Sequence, residues 1–223
     1  MSWLATLSRR RPRLLEVGEA YARWAPSYPR EAANEMMRLD ESEVLRLLPD
    51  VRGQRVLDVG CGAGRYLDVL ARRGASSVVG IDPEPAMLAR ASGPVVCAGL
   101  PRLPLRSAAF DLAVCALVVG HLPDLPGALA ELARVLRPGG VLVYSDVHPA
   151  GEALGWRRTF RAEDGRAYAV RHVVHARRAH EPACAAAGLA VEAVAEPRAD
   201  APGPHGRVPA LLVVRARRTE PRA

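Results

Sequence analysis

Residues 56–65, VLDVGCGAGR, run an apolar stretch straight into three glycines spaced two apart, Gly60, Gly62 and Gly64. A chain does this when a buried strand must end in a tight turn whose backbone is open to a ligand. RYLDVLARRG follows at once, with apolar residues every three to four positions up to Gly74. The spacing predicts strand, turn and helix. The unit then repeats. SSVVGID reads as a second strand and PEPAMLARA as a helix with Pro83 near its start. GPVVCAG is a short strand, and AFDLAVCALVV a long, continuously apolar one. LPGALAELARVLRPGG is a helix ending at Pro138, and VLVYSDV a fifth strand. Continuous rather than alternating apolarity predicts strands covered on both faces, hence a doubly wound, mostly parallel α/β sheet with right-handed crossovers.

The flanks differ. Residues 1–50 read as two or three helices broken by APSYPR, an N-terminal helical cap on an α/β body over 51–223. Residues 156–175 read as a β-hairpin inserted after the fifth strand and turning at Asp164-Gly165. A helix near 178–187, a strand near 189–196, a Pro/Gly-rich loop at 197–207 and a last strand, RVPALLVVRAR, complete the chain.

Composition excludes some chemistry. All 31 cationic residues are arginine, so no lysine can form a Schiff base or serve a phosphate loop. The net charge of +7 comes without a basic stripe interleaved with aromatics, so no nucleic-acid partner is expected. Cys61, Cys97, Cys115 and Cys184 lie far apart without a Cys-x-x-Cys pair, which favours reduced thiols over disulfides or a metal site. No run approaches about 18 apolar residues, and MSWLATLSRRRPRLL lacks a signal-peptide core. A cytoplasmic protein without a membrane partner is expected.

In a doubly wound sheet the first strand's turn lies at the carboxyl edge, where ligands bind. Gly60-x-Gly62-x-Gly64 is tighter than the dinucleotide spacing, which would put glycine where Arg65 stands. Asp82 closes the second strand, and one carboxylate can accept both hydroxyls of a ribose. The alternative for Asp82 is a helix N-cap before Pro83.

Together, VLDVGCGAGRYLDVLARRG, VVGIDPEPAMLARA and LPLRSAAFDLAVCALVVGHLPDLPGALAELARVLRPGGVLVYSDV resemble class I S-adenosylmethionine-dependent methyltransferases. They are most similar to the small-molecule branch that includes ubiquinone and menaquinone methyltransferases, over residues 55–147. The resemblance implies a Rossmann-like, seven-stranded sheet, S-adenosyl-L-methionine as cofactor and S-adenosyl-L-homocysteine as product. It implies that Gly60, Cys61, Gly62 and Gly64 pass against the methionine part. Asp58 would hold that loop or the amino group, and Asp82 with Pro83 the ribose. Met87, Gly99, Leu100, Ala116 and Leu117 would complete the cofactor site. One departure is that Ala98, Gly99 and Leu100 stand where the family often has Gly-Asp-Ala, leaving adenine to backbone and apolar contacts.

Methyl transfer needs alignment, exclusion of water, and a base only when the nucleophile carries a proton. His148, after the fifth strand, is the first candidate base, and His121, after the fourth, the second. YARWAPSYPR resembles a family segment folding over the cofactor, with Tyr28 and Tyr21 closing the site. Trp156 and Arg157 of the hairpin, with its neighbour Arg158, and His172 and His175 are candidate substrate contacts. On a strand, His172 and His175 would face opposite ways and form no joint metal site. CALVVGHLPD lacks the Asn/Asp-Pro-Pro-aromatic stretch of nucleobase methyltransferases. The expected substrate is a small metabolite methylated on oxygen or nitrogen, by a monomer or homodimer. A quinone-type carbon methyltransferase, a nicotinamide oxidoreductase and a non-catalytic cofactor-binding module are the alternatives.

Overall fold

The computed structural model describes residues 12–201 and 205–220. Strand β1 (Arg13–Leu15) and helices α1 (Val17–Trp24) and α2 (Glu35–Leu47) precede the repeat. The repeat runs β2 (Arg55–Val59), α3 (Arg65–Arg72), β3 (Ser77–Asp82), α4 (Pro85–Leu88) and β4 (Val95–Cys97). It continues with β5 (Phe110–Ala116), α5 (Leu125–Val135) and β6 (Leu136–Val147). Helix α6 (Pro149–Ala153) leads to the hairpin β7 (Thr159–Arg161) and β8 (Ala167–Val170). Then come α7 (His180–Ala186), β9 (Leu189–Ala195), β10 (Arg198–Asp200), β11 (Arg207–Pro209) and β12 (Leu211–Arg218).

The main sheet has seven strands in the order β4-β3-β2-β5-β6-β12-β9. All neighbours pair parallel except β12, which is antiparallel to both β6 and β9. Continuous apolarity now has its cause. Along β5 and β6, Leu112, Val114, Val141 and Val143 enter a core shared with α2 and α3. The residues between, Ala113, Cys115, Leu142 and Tyr144, enter a second core under α5 and α7. Both faces are buried, so no polar face interrupts the pattern.

Four expectations change. The N-terminal cap is not purely helical, because β1 pairs parallel with β8 and makes a three-stranded sheet, β1-β8-β7. That sheet packs Leu15, Phe160, Tyr168 and Val170 on Ala20 and Trp24. Residues 1–11 of the expected cap lie outside the described residues. Beyond β8, residues 171–176 form no strand but a strap, with Arg171 N–H donating to the Leu15 carbonyl and Val173 N–H to that of Gly120. Helix α5 ends at Val135 rather than Pro138: Leu136 already takes extended backbone, φ −76° and ψ 143°, and opens β6. The loop expected over 197–207 contains the antiparallel pair β10–β11. Among the described residues no helix is long and apolar enough to cross a membrane.

Candidate active site

The turn after β2 takes positive φ at each glycine, +72° at Gly60, +54° at Gly62 and +88° at Gly64. A Cβ on Gly60 would sit 2.2 Å from Val118 Cγ2, so any side chain there would collide with the loop after β5. Asp82, at the end of the neighbouring β3, folds back on this turn. Its Oδ2 accepts from Gly62 N–H at 2.9 Å and its Oδ1 from Glu84 N–H at 2.9 Å. Asp82 is therefore not the helix cap. Glu84 is, accepting from Ala86 N–H at 3.1 Å, with Pro85 at the first turn of α4. Burial raises the Asp82 pKa against these two hydrogen bonds.

Around this edge lies a cavity of about 340 Å³, within the range of small-molecule sites. Gly60, Cys61, Gly62, Asp82, Pro83 and Met87 form one side of it. Gly99, Leu100, Ala116 and Leu117 also line it, together with Tyr21 and Tyr28. Leu117 adopts φ +60°, a left-handed backbone rare for a leucine. Hydrogen bonds hold it there: its N–H donates to the Ser145 carbonyl and Oγ, and its carbonyl accepts from Arg158 Nη1 at 3.2 Å. Strained backbone of this kind concentrates at functional sites.

Opposite the glycine turn stands a polar wall. Tyr21 O–H and His121 Nε2 are 3.0 Å apart. Arg158 Nη1 donates to the Tyr21 hydroxyl and, at 2.8 Å, to His121 Nε2. Because a guanidinium only donates, Nε2 is the bare nitrogen of His121. Burial, Arg158 and His172 together lower the His121 pKa well below the ordinary imidazole value, against a backbone carbonyl at Arg171. Burial raises the Tyr21 pKa to about 12, opposed by Arg158. Behind this wall His172 Nε2 lies 3.3 Å from Asp146 Oδ1. Gly120 makes room for that pair, since a Cβ there would fall 2.0 Å from His172 Cε1 and 2.5 Å from Asp146 Oδ1.

The N-terminal segment is locked onto the sheet by a buried network. Asp40 of α2 accepts from Arg65 Nη2 at 2.9 Å, from the Tyr66 hydroxyl at 2.8 Å and from Ser145 Oγ. Arg65 also reaches the Met37 carbonyl at 3.1 Å.

Other candidates lie elsewhere. Gly64 caps α3 from outside the cavity, against Ala91. Asp58 is buried beneath the turn, its Oδ2 without a hydrogen-bond partner. Burial pushes the Asp58 pKa up to about 7 against Arg65, with Asp82 and Asp40 adding to the rise. His148 lines neither this cavity nor the one of about 220 Å³ beside the hairpin; its Nδ1 caps α6 by accepting from Ala150 N–H at 3.1 Å. Pro149 fixes His148 in extended backbone, and that extension serves the cap. His175 Nε2 lies 2.9 Å from the Leu122 carbonyl, pinning the strap rather than facing ligand. Trp156, Arg157 and His172 line that second cavity. Of the arginine pair, it is Arg158 that borders both cavities. The sequence offers both arginines alike, because they stand just before β7, where no strand or helix period tells which points inward.

A family model described as a methyltransferase domain matches residues 57–144. The chain is 37% identical over 134 residues to a malonyl-[acyl-carrier protein] O-methyltransferase of Serratia marcescens, covering 58% of this chain and 51% of that protein. It is 34% identical over 136 residues to a ubiquinone biosynthesis O-methyltransferase of Paracidovorax citrulli, covering 54% and 57%. The chain thus spans little more than half the length of these curated relatives. Among solved structures, an S-adenosylmethionine-dependent methyltransferase from Mesorhizobium loti superposes with a TM-score of 0.66 at 27% identity, over 81% of this chain and 98% of that one.

Proposed function

The chain belongs to the class I S-adenosylmethionine-dependent methyltransferases, and from that premise we propose that it methylates an oxygen of a small metabolite. One observation carries the reading. The glycine turn and Asp82 share a single cavity with a buried polar wall on the opposite side, so cofactor and acceptor would meet there. The O-methylating relatives support oxygen as the acceptor atom.

The residues fit S-adenosylmethionine. Asp82 has one N–H donor on each oxygen, and a carboxylate oxygen can accept a further hydrogen bond from a ribose hydroxyl. Met87 and Leu100 give adenine apolar surfaces. When bound, the cofactor supplies an activated methyl group on sulfur. The chain's own work is to orient the acceptor and exclude water. Tyr21, Trp24 and Tyr28 stack into a lid, Tyr21 and Trp24 with centroids 5.9 Å apart and Trp24 and Tyr28 4.8 Å apart. Burying the site strengthens every electrostatic contact within it.

Calorimetric titration tests the reading: S-adenosylhomocysteine should bind with one-to-one stoichiometry and NAD should not. Binding of NAD with none to either adenosyl ligand would overturn it.

A further inference from the structure

Two arginines cross between the lid and the chain that follows α4. Arg90, two residues past α4, donates from Nη1 to the Pro26 carbonyl at 2.7 Å and from Nη2 to the Tyr28 carbonyl at 2.9 Å. In the other direction Arg30 Nη2 donates to Ser92 Oγ at 2.7 Å and lies 3.5 Å from Asp68 Oδ2 of α3. The lid needs such a clasp. Residues Ala25–Ser27 form a single 3₁₀ turn, closed by Tyr28 N–H on the Ala25 carbonyl at 3.2 Å. One turn supplies little rigidity by itself, and the carbonyls at its end are open to an outside donor. Inside the clasp, Ala25, Ala63 and Met87 are buried together with Tyr21 and Tyr28 packed on them. Tyr28, Met87, Gly62 and Asp82 all line the larger cavity, while Arg90 does not.

We infer that Arg90 is a positioning residue for the adenosyl cofactor: by holding Tyr28 against the side of the cavity built by Asp82, Gly62 and Met87, it sets how long the ligand stays. The inference rests on the methyl-transfer reading and adds to it a control on ligand release. A ligand seated between Met87 of α4 and Tyr28 touches both segments, so it leaves only when they part, and opening of this kind commonly limits release. Arg90 joins the two segments outside the cavity, on main-chain carbonyls, and so acts through Tyr28 rather than by touching ligand. A guanidinium suits that place. Its donors stand in a rigid planar fork that can hold two carbonyls at once, whereas an ammonium on a flexible stem would hold them less firmly.

The test follows release of radiolabelled S-adenosylhomocysteine into excess unlabelled ligand, from wild type, Arg90→Met and Arg90→Lys. Methionine keeps an apolar stem and removes both donors, so release should quicken about tenfold, equivalent to about 1.4 kcal/mol. Lysine keeps a charged donor and should recover part of the slow release. An arginine with a merely structural role would shift the urea midpoint of the ligand-free protein and leave the release rate alone. That result, or lysine releasing as fast as methionine, overturns the inference. Should Arg90→Met not fold, Arg90→Gln, neutral and too short to span both carbonyls, takes its place with the same two outcomes. If wild type binds S-adenosylhomocysteine and the variants release it at the wild-type rate, this inference falls alone. If wild type binds none, the methyl-transfer reading falls first.

Discussion

Arg65 and Asp40 meet at 2.9 Å in the interior, and their contact joins the first turn after the glycines to the N-terminal helix α2. Asp40 is fully buried, and Tyr66 and Ser145 complete its shell. Ser145 in turn receives Leu117 N–H at 3.0 Å. The glycine turn, the strained Leu117 and the cap over the cavity are thus tied through one carboxylate. A glycine at position 65, as the dinucleotide spacing would have it, could not make this tie.

Removing one partner of a buried pair strands the other, which costs about 3–5 kcal/mol. Asp40→Ala leaves Arg65 its contact with Glu41 at 3.3 Å, so unfolding stability should fall toward the low end of that range in urea titration. The double variant Asp40→Leu with Arg65→Met should recover a large part of the loss. A single-variant loss under about 1 kcal/mol would mean that solvent reaches the pair.

Much of this was legible beforehand. The five strands of the repeat, the Asp164-Gly165 turn and most of the cavity floor follow from apolar runs, glycines and one acid at a strand end. Long-range pairing was not. Three-residue β1 carries too little pattern to announce that it pairs with β8, more than 150 residues away. The wall of Tyr21, His121 and Arg158 joins three distant segments, and nothing local marks them as neighbours. Gly120 left a faint signal, as a glycine beside a histidine just past a buried strand, but its reason lies in His172 and Asp146.

Asp82 holds both Gly62 and Glu84 by backbone hydrogen bonds and faces the cavity. Asp82→Ala removes the ribose acceptor and loosens the turn together. S-adenosylhomocysteine affinity should fall by about 1.5–3 kcal/mol per lost charged hydrogen bond. Unchanged affinity in a folded variant would make Asp82 a purely structural residue.

Asp58 sets a pH dependence. Its folded pKa of about 7 lies above the ordinary carboxylate value of 3.8, with burial as the main cause. Between those values the folded protein holds a proton that the unfolded chain has released. The contribution of Asp58 is full below pH 3.8 and is lost as pH rises through about 7. Asp58→Asn removes that slope. Relative to wild type, the variant should gain roughly 3 kcal/mol between pH 5 and 7.5, from about 1.4 kcal/mol per unit. Parallel stability curves for the two proteins would show Asp58 to be ionised throughout.

His148 was the first candidate for a catalytic base, and its position decides against that. The residue follows β6 at the carboxyl edge, yet its ring turns along α6 and away from both cavities. Nδ1 accepts Ala150 N–H, and the backbone N–H donates to the Ala210 carbonyl at 2.9 Å. Burial lowers its pKa, with Arg177 acting in the same direction and Glu196 opposing, so the ring is neutral at physiological pH and suited to accepting that bond. His148→Ala should thus behave as a lost cap, costing about 0.5–2 kcal/mol of stability. Its effect on the single-turnover rate should stay well below the roughly 10²–10⁴-fold loss typical of a missing base. His148→Asn, which can cap the same N–H, should restore the stability. Measuring unfolding and single-turnover rate on the same samples separates the two roles: a tenfold rate loss at unchanged stability would return His148 to the reaction.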